Sequence, residues 1–561
     1  MNLGSARFLW PVLLVALVAI LFRIDRMPLL EPDEGRNAEV AREMAEEGRW
    51  VVPVFHGMPY LDKPVLYFDS VVLSFKILGH GEAAARLPSV IFAVGAALTT
   101  FLLGRVLLDG SAARLAVWML ASAPLFLGFA RIVIGDMALT CWVMFAWLFA
   151  EHGRRGARWG YALSWAATAL AVLTKGPIGL LLPVLGHVAM ALGQAPPRRL
   201  GRYFHPFPIV VFLAVLAPWV VMVEARHPGF LRYALLTETL ERLTQPTFQR
   251  TGPIIYYLPV LALGFMPWSL VAMARLPAWI RGARSRLAPS PERGLLLATA
   301  AIVLFFSLSR SKLPGYVLPA VPLLALLLAR SALRAGQARA AWTVTPGLAL
   351  AALGGLQVAA AASDLNLTAR LHLAPALDAA LGTLLLRAGL WALFLGAALL
   401  ALAVARRAAG AAPILLALYC PVLVFLGATP LAAYAEQNSS RALAAAIRNF
   451  GGTDARAAAV GCFPTSLDFY LAQVVPVVTE TGQELTSTYV ARNFERLRRE
   501  GQPGIWSARE FVSRLDSGEV EFLIAKGDRP PARGLEFLGR FQKYGLWRTT
   551  TARRATSAAR L

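Results

Sequence analysis

Leu87-Pro-Ser-Val-Ile-Phe-Ala-Val-Gly-Ala-Ala-Leu-Thr-Thr-Phe-Leu-Leu-Gly104 is an uncharged run of 18 residues closed by Arg105. As a helix it is about 27 Å long, close to the thickness of a bilayer's hydrocarbon core. Runs of this kind recur along the chain. The 561 residues are 57% hydrophobic and 16% charged, with a mean hydropathy of +0.56, whereas a soluble domain carries about 25% charged residues. The pattern predicts a polytopic α-helical membrane protein with about thirteen spans, at approximately 8–24, 87–104, 113–130, 137–150, 160–173, 177–194, 208–225, 253–274, 294–309, 315–330, 342–362, 380–404 and 411–433. The first span follows Arg7 and lacks a small-residue cleavage site, so it is expected to be a retained helix.

The net charge of +22 would point to nucleic acid in a soluble protein. Here the excess is arginine in short loops, with no aromatic-basic pattern for RNA or DNA. Every second loop is basic, among them Arg154, Arg155 and Arg158, then Arg198, Arg199 and Arg202, then Arg406 and Arg407. The positive-inside rule places these loops in the cytoplasm, together with the N-terminus, and puts the segment after Leu431 outside. The three cysteines, Cys141, Cys420 and Cys462, stand in distant contexts and define neither a disulfide framework nor a zinc spacing. Apolar runs end near residue 433. Ala457–Cys462, Val474–Val478 and Val520–Ile524 read as strands, and Ser440–Phe450 and Ala508–Leu515 as helices. The expected organisation is a transmembrane domain over 1–433, with an outer interfacial loop at about 25–86, and a soluble α/β domain over 434–561.

The opposite set of loops holds the unusual chemistry. Glu31-Pro32-Asp33-Glu34-Gly35-Arg36 opens an acidic stretch, 33–47, that reads as an amphipathic helix lying flat at the outer interface, entered at Pro32 and ended at Gly48. Asp33 and Glu34 suit a helix's first turn through the dipole alone. Asp136, in Arg131-Ile-Val-Ile-Gly-Asp136, tips the balance toward an active site, because a carboxylate at a turn between apolar spans is costly unless paired or functional. Asp62-Lys63-Pro64 is either a local ion pair or an anion site built on Lys63. Thr174-Lys175-Gly176-Pro177 puts a cation at what reads as a helix start, where anions bind. Arg310-Ser-Lys312-Leu-Pro-Gly-Tyr316 supplies two more cations, either as interfacial anchors or as ligands for an anion. The same face also includes the stretch from Glu238 to Arg250. Several cations and two or more carboxylates on one membrane face suit a lipid-phosphate donor. Cations stabilise a departing phosphate, and a carboxylate takes a proton from an acceptor or orients it. No Walker loop or dinucleotide loop is present, and the seven histidines form no metal spacing.

These residues resemble a known family. Pro32-Asp33-Glu34-Gly35-Arg36, Gly48-Arg-Trp-Val-Val-Pro53, Lys63-Pro64, Thr174-Lys175-Gly176, Tyr256-Tyr-Leu-Pro259, Pro267-Trp268 and Lys312-Leu-Pro-Gly-Tyr-Val-Leu-Pro319 are similar, in order, to the lipid A aminoarabinose transferases. These lie within the GT-C polyprenyl-phosphate-sugar-dependent glycosyltransferases, which include protein O-mannosyltransferases. The resemblance spans residues from about 20 to 330. It implies a GT-C enzyme of a bacterial inner membrane that transfers a sugar, with inversion, from undecaprenyl phosphate to lipid A at the periplasmic leaflet. Such a modification lowers negative surface charge and raises resistance to cationic peptides. Asp33 matches the family's loop aspartate and Asp136 its second acidic position, with Glu34 beside Asp33. Lys63, Lys175 and Tyr316 match positions tied to the donor phosphate, and Arg36, Arg310 and Lys312 are further binding candidates. The chain departs from the family at Asn37, Asp62 and Gln249, which bear on the sugar and on a bound metal. A divalent metal is a candidate cofactor, with Asp62 a candidate ligand. The same donor with a protein or other glycan acceptor is the nearest rival. A secondary transporter would carry charges near the bilayer midplane, but here the spans are nearly free of charge.

Overall fold

In lipid, a backbone N–H finds no partner except a carbonyl of its own segment, so the uncharged runs fold as helices. The computed structural model describes residues 9–194, 200–241, 252–281, 288–334, 339–363, 377–405, 411–502 and 504–549. Among them, five helices are long and apolar enough to cross a membrane: Glu82–Leu107, Leu200–Arg226, Pro291–Leu308, Ala340–Ala362 and Asp378–Ala405. Two bent pairs raise the number to as many as seven, Ile254–Gly264 with Trp268–Pro277 at 113° and Ala412–Leu426 with Ala428–Gln437 at 52°. The expected thirteen spans are therefore not confirmed. Several runs that look continuous are interrupted. The 113–130 run breaks into Gly110–Ala121 and Pro124–Phe129, and the 253–274 run bends where Pro267 removes a backbone donor. Pro11–Leu21, Ile178–Gly193 and Ala320–Leu333 are apolar but shorter.

The chain forms two compact units, one of residues 1–24 and 86–430 and the other of 25–85 and 431–561. The first is the helical membrane unit. Its core packs Trp118, Trp147, Trp268, Leu295, Leu326 and Leu395. The Trp268 indole donates to Ser122 Oγ at 2.9 Å and Trp147 to the Pro183 carbonyl at 3.1 Å, so neither buried ring leaves its N–H unpaired. The helices Ile178–Gly193 and Pro291–Leu308 cross at glycines. A Cβ on Gly193 would lie 2.3 Å from Gly294 Cα, a backbone approach that small residues permit.

The second unit is built on a six-stranded mixed sheet. Its strands are β3 (Ala457–Val460), β4 (Val477–Val478), β5 (Ile505–Trp506), β6 (Phe522–Lys526), β7 (Leu535–Phe541) and β8 (Tyr544–Thr549). A two-stranded hairpin, β1 (Val54–Phe55) with β2 (Met58–Pro59), belongs to the loop segment. The sheet order is β5-β4-β3-β6-β8-β7, parallel from β5 to β6 and antiparallel beyond. The stretches expected as strands form β3, β4 and β6, and the two expected helices run Arg441–Gly451 and Ala508–Asp516. A Ser507/Glu510 capping box starts the latter.

The Asp33–Glu47 helix forms as expected, and Gly48 at φ +66 ends it. Its surroundings are more enclosed than the amphipathic pattern alone implies. Ten of its fifteen residues are buried, Glu34, Glu39, Arg42 and Glu43 among them. The helix is packed inside the second unit, where Arg42 pairs with Glu39 and Glu46 of its own helix, Glu43 accepts from the His56–Gly57 turn, and Arg36 reaches the Thr486 carbonyl.

Candidate active site

In the membrane unit, Asp136 is the first residue of the Asp136–Arg154 helix and Lys175 the last of Gly160–Lys175. Lys175 is thus at a helix end and not at the helix start that its sequence context implies. Gly176, at φ +75, breaks the chain there before the next helix begins at Ile178. A cation at a helix C-terminus and a carboxylate at a helix N-terminus both follow the dipoles. Lys175 Nζ lies 2.5 Å from Asp136 Oδ1, and both side chains are largely buried. The Tyr316 ring sits 5.7 Å from the same ammonium. Gly315 makes the approach possible, because a Cβ there would lie 2.6 Å from Asp136 Oδ1 and 2.7 Å from the Phe129 ring.

Lys312 is engaged differently. Its ammonium is buried and donates to the carbonyls of Ser307 at 2.9 Å, Phe306 at 3.4 Å and Ser309. These are the last carbonyls of the Pro291–Leu308 helix and its cap, groups that lack intrahelical partners. Arg310 is exposed.

In the second unit, Asp33 is about a third exposed and pairs with Arg36. Arg36 also reaches the Thr486 carbonyl at 3.3 Å and stands 5.9 Å from the Tyr60 ring. Burial opposes its charge, but Tyr60, Asp33 and Asp62 outweigh it and hold the guanidinium charged. Glu34 turns back on its own loop, accepting from the Leu30 N–H at 3.1 Å. Asp62 accepts from the N–H groups of Thr488 and Tyr489 at 2.9 and 2.8 Å, capping the Thr488–Arg492 helix. Lys63 Nζ donates to the Asp62 carbonyl at 2.9 Å. Among the described residues no group of three or more His, Cys, Asp or Glu stands ready to hold a metal. Gln249 and most of the 238–250 stretch lie outside the described residues.

Sequence reasoning passed over a buried ionic cluster in the same unit. His56 and Gly57, at φ +60 and +72, form the two-residue turn of the β1–β2 hairpin. That turn presents His56 Nδ1 to Asp468 Oδ2 at 2.6 Å and Nε2 to the Gly504 carbonyl at 2.7 Å. An oxygen at each ring nitrogen favours the imidazolium form. Burial works against that charge, but Asp468, Glu43 and Gly504 together raise the His56 pKa. Glu43 accepts the N–H groups of His56 and Gly57 at 2.6 and 2.9 Å, and Arg42 grips Glu39 through Nε at 2.7 Å. Burial raises the pKa of both Glu39 and Glu43. A lone histidine and scattered acids carry no local signal of such pairing. The histidine and its aspartate are 412 residues apart.

Comparison with known proteins adds three observations. Residues 62–222 match the family profile of dolichyl-phosphate-mannose-protein mannosyltransferases. The chain is 33% identical over 327 residues to an undecaprenyl phosphate-alpha-4-amino-4-deoxy-L-arabinose arabinosyl transferase of Edwardsiella ictaluri, covering 56% of this chain and 58% of that protein. It is likewise 33% identical over 341 residues to the enzyme of that name from Aeromonas hydrophila, covering 59% and 61%. The chain thus spans about three-fifths of the length of these curated relatives. Over 97% of its length it superposes, with a TM-score of 0.82 and 25% identity, on 98% of the crystal structure of ArnT from Cupriavidus metallidurans bound to undecaprenyl phosphate. The chain is therefore a multi-pass membrane protein of GT-C fold with a C-terminal α/β region, and the proteins it resembles in both sequence and structure are aminoarabinose transferases.

Proposed function

We propose that this protein is a membrane glycosyltransferase that moves 4-amino-4-deoxy-L-arabinose, or a related aminosugar, from undecaprenyl phosphate to lipid A. The reaction takes place at the periplasmic leaflet of the bacterial inner membrane. The observation that carries this reading is the buried Lys175–Asp136 pair beside Tyr316. It sits in a fold shared with a protein crystallised with undecaprenyl phosphate.

In this reading an acceptor phosphate oxygen attacks the anomeric carbon. The bond from that carbon to the donor phosphate oxygen breaks with inversion, and its electron pair leaves on undecaprenyl phosphate. Lys175 stabilises that departing charge, since an ammonium has three donors and Asp136 does not occupy them all. Asp136 holds the lysine in place. Lys63 and Arg310 are further cations for the donor. A phosphate monoester is largely ionised near neutrality, with a second pKa of about 6, so the acceptor needs little help from a base. Asp33, held by Arg36, therefore orients the acceptor or steadies positive charge developing at the anomeric carbon.

Mass spectrometry of lipid A from cells with and without the gene tests the proposal. Aminosugar-modified lipid A that disappears on deletion is the expected result. Unchanged lipid A alongside a lost protein glycan would instead favour the second reading, a protein acceptor, which the mannosyltransferase match over residues 62–222 supports.

A further inference from the structure

The parallel part of the C-terminal sheet has a switch point. From β3 the chain moves outward to β4 and β5, then crosses back to place β6 on the other side of β3. β3 and β6 are parallel neighbours, so their carboxyl ends lie side by side at this point, the place of the ligand crevice in such topologies. Ser466 lies in the loop after β3. Tyr544 pairs with Lys526, the last residue of β6, and Lys543 precedes it. Ser440 stands immediately before the Arg441–Gly451 helix, which leads into β3.

All four residues converge on one carboxylate from the loop segment. Glu31 Oε1 accepts from Ser466 Oγ at 2.9 Å, from Ser466 N–H at 3.3 Å and from Ser440 Oγ. Glu31 Oε2 accepts from Tyr544 Oη at 3.2 Å and lies 3.2 Å from Lys543 Nζ. The Glu31 side chain is 4% exposed. Its N–H donates to the Asn438 carbonyl at 2.8 Å. Burial, with Glu31 beside it, keeps the Tyr544 phenol protonated and able to donate. The neighbouring backbone is fastened as well. Thr465 Oγ1 donates to the Pro32 carbonyl at 3.1 Å, and Gly35 packs so closely on Ser466 that a Cβ would lie 2.6 Å from its Cβ.

We propose that Glu31 is a positioning residue: a built-in anion, seated in the crevice between β3 and β6, that fixes the segment leading into Asp33. The sheet thus serves as a socket for the chain's own loop, in the place where related topologies hold a free anionic ligand. Only Pro32 separates Glu31 from Asp33, so releasing the carboxylate frees the Asp33 backbone from its anchor. The kinetic part of this inference rests on the transferase reading. The structural part does not.

The test uses full-length protein in nanodiscs. In Glu31→Gln, hydrogen exchange across residues 26–36 is expected to rise while the β3 and β6 amides stay protected. Turnover of undecaprenyl-phospho-aminosugar onto lipid A should fall by about ten- to a hundredfold in kcat, with KM for the donor unchanged, as expected for a misplaced catalytic group. Millimolar formate should restore both protection and turnover in Glu31→Ala by entering the emptied socket. Lys543→Gln, at a position more than half exposed, gives a milder variant should Glu31 substitutions fail to fold, and should show the same two effects at smaller amplitude. Unchanged exchange in residues 26–36 would overturn the socket. Raised exchange with unaltered kcat would overturn the positioning role. A wild-type protein that fails to modify lipid A would sink the transferase reading while leaving the exchange result to decide the socket.

Discussion

Lys175 and Asp136 meet at 2.5 Å across two helices of the membrane unit, the ammonium at one helix's C-terminus and the carboxylate at the other's N-terminus. Each helix end favours the charge placed there, and each charge gives the other a partner away from bulk water. If the ammonium also receives the donor phosphate, Lys175→Gln should raise KM for undecaprenyl-phospho-sugar by about ten- to a hundredfold, the worth of one hydrogen bond to a charged group. Steady-state kinetics in detergent or nanodiscs measure it. An unchanged KM would remove Lys175 from donor binding.

Gly315→Ala disturbs the same pair without deleting a functional group. The new methyl would sit 2.6 Å from Asp136 Oδ1, with the Phe129 ring blocking retreat. Turnover should drop by about tenfold or more through a displaced Asp136, and a double variant with Asp136→Asn should be no worse than Asp136→Asn alone.

Lys312 and Lys175 are held by different partners. The Lys312 ammonium serves three carbonyls at the end of Pro291–Leu308. Lys312→Met should therefore lower thermal stability, by about 2 kcal/mol, and change donor KM less than Lys175→Gln does. The reverse ranking would assign Lys312 to the phosphate.

Asp33→Asn keeps shape and removes charge. It should leave the protein folded, because Asp33 is partly exposed and its partner Arg36 retains the Thr486 carbonyl. Transfer should fall by at least about a hundredfold, read as product formed per enzyme. Wild-type turnover in this variant would take Asp33 out of the mechanism.

The cluster around His56 sets a pH dependence. The folded-state pKa of His56 is raised, so its stabilisation is complete below the unfolded value of about 6.5 and is lost as pH rises through the folded value. Glu39 and Glu43 are raised too, which makes folding less favourable as pH climbs from about 4.3 through their folded values. The two effects share a sign. Unfolding of the second unit, followed by protease susceptibility, should shift to lower temperature between mildly acidic and alkaline pH. His56→Leu should cost about 3 kcal/mol near neutrality by leaving Asp468 buried without its partner, and should flatten the slope above about pH 6.5. A slope of opposite sign would mean that the ring is neutral in the fold.

Much of the architecture was legible locally. Long apolar runs become helices wherever they lie, so residues 87–104 and 380–404 fall within Glu82–Leu107 and Asp378–Ala405. The Asp33–Glu47 helix carries its own start and stop signals. The breaks at Ala123–Pro124 and at Met266–Pro267 were harder to read, because a proline within an apolar run either tilts a span or divides it, and packing chooses. The C-terminal hairpin β7–β8 escaped notice because its residues alternate weakly, and it is the partnership with β6 that makes it a sheet.

By itself the sequence determined the class of protein, the helical runs and the list of groups capable of phosphate-sugar chemistry, since hydropathy, helix caps and charge are properties of neighbours along the chain. Which partner each of those groups meets was decided only in three dimensions. Lys175 finds Asp136, Lys312 is taken up by helix carbonyls, and Asp62 caps a helix more than 400 residues downstream. Glu31, unremarkable beside the acids that follow it, is enclosed by Ser440, Ser466, Lys543 and Tyr544. The physical reason is that an ionised side chain takes its role from whatever partner replaces its water. In this chain those partners come from helix ends and strand ends far away in sequence, beyond the reach of any local pattern.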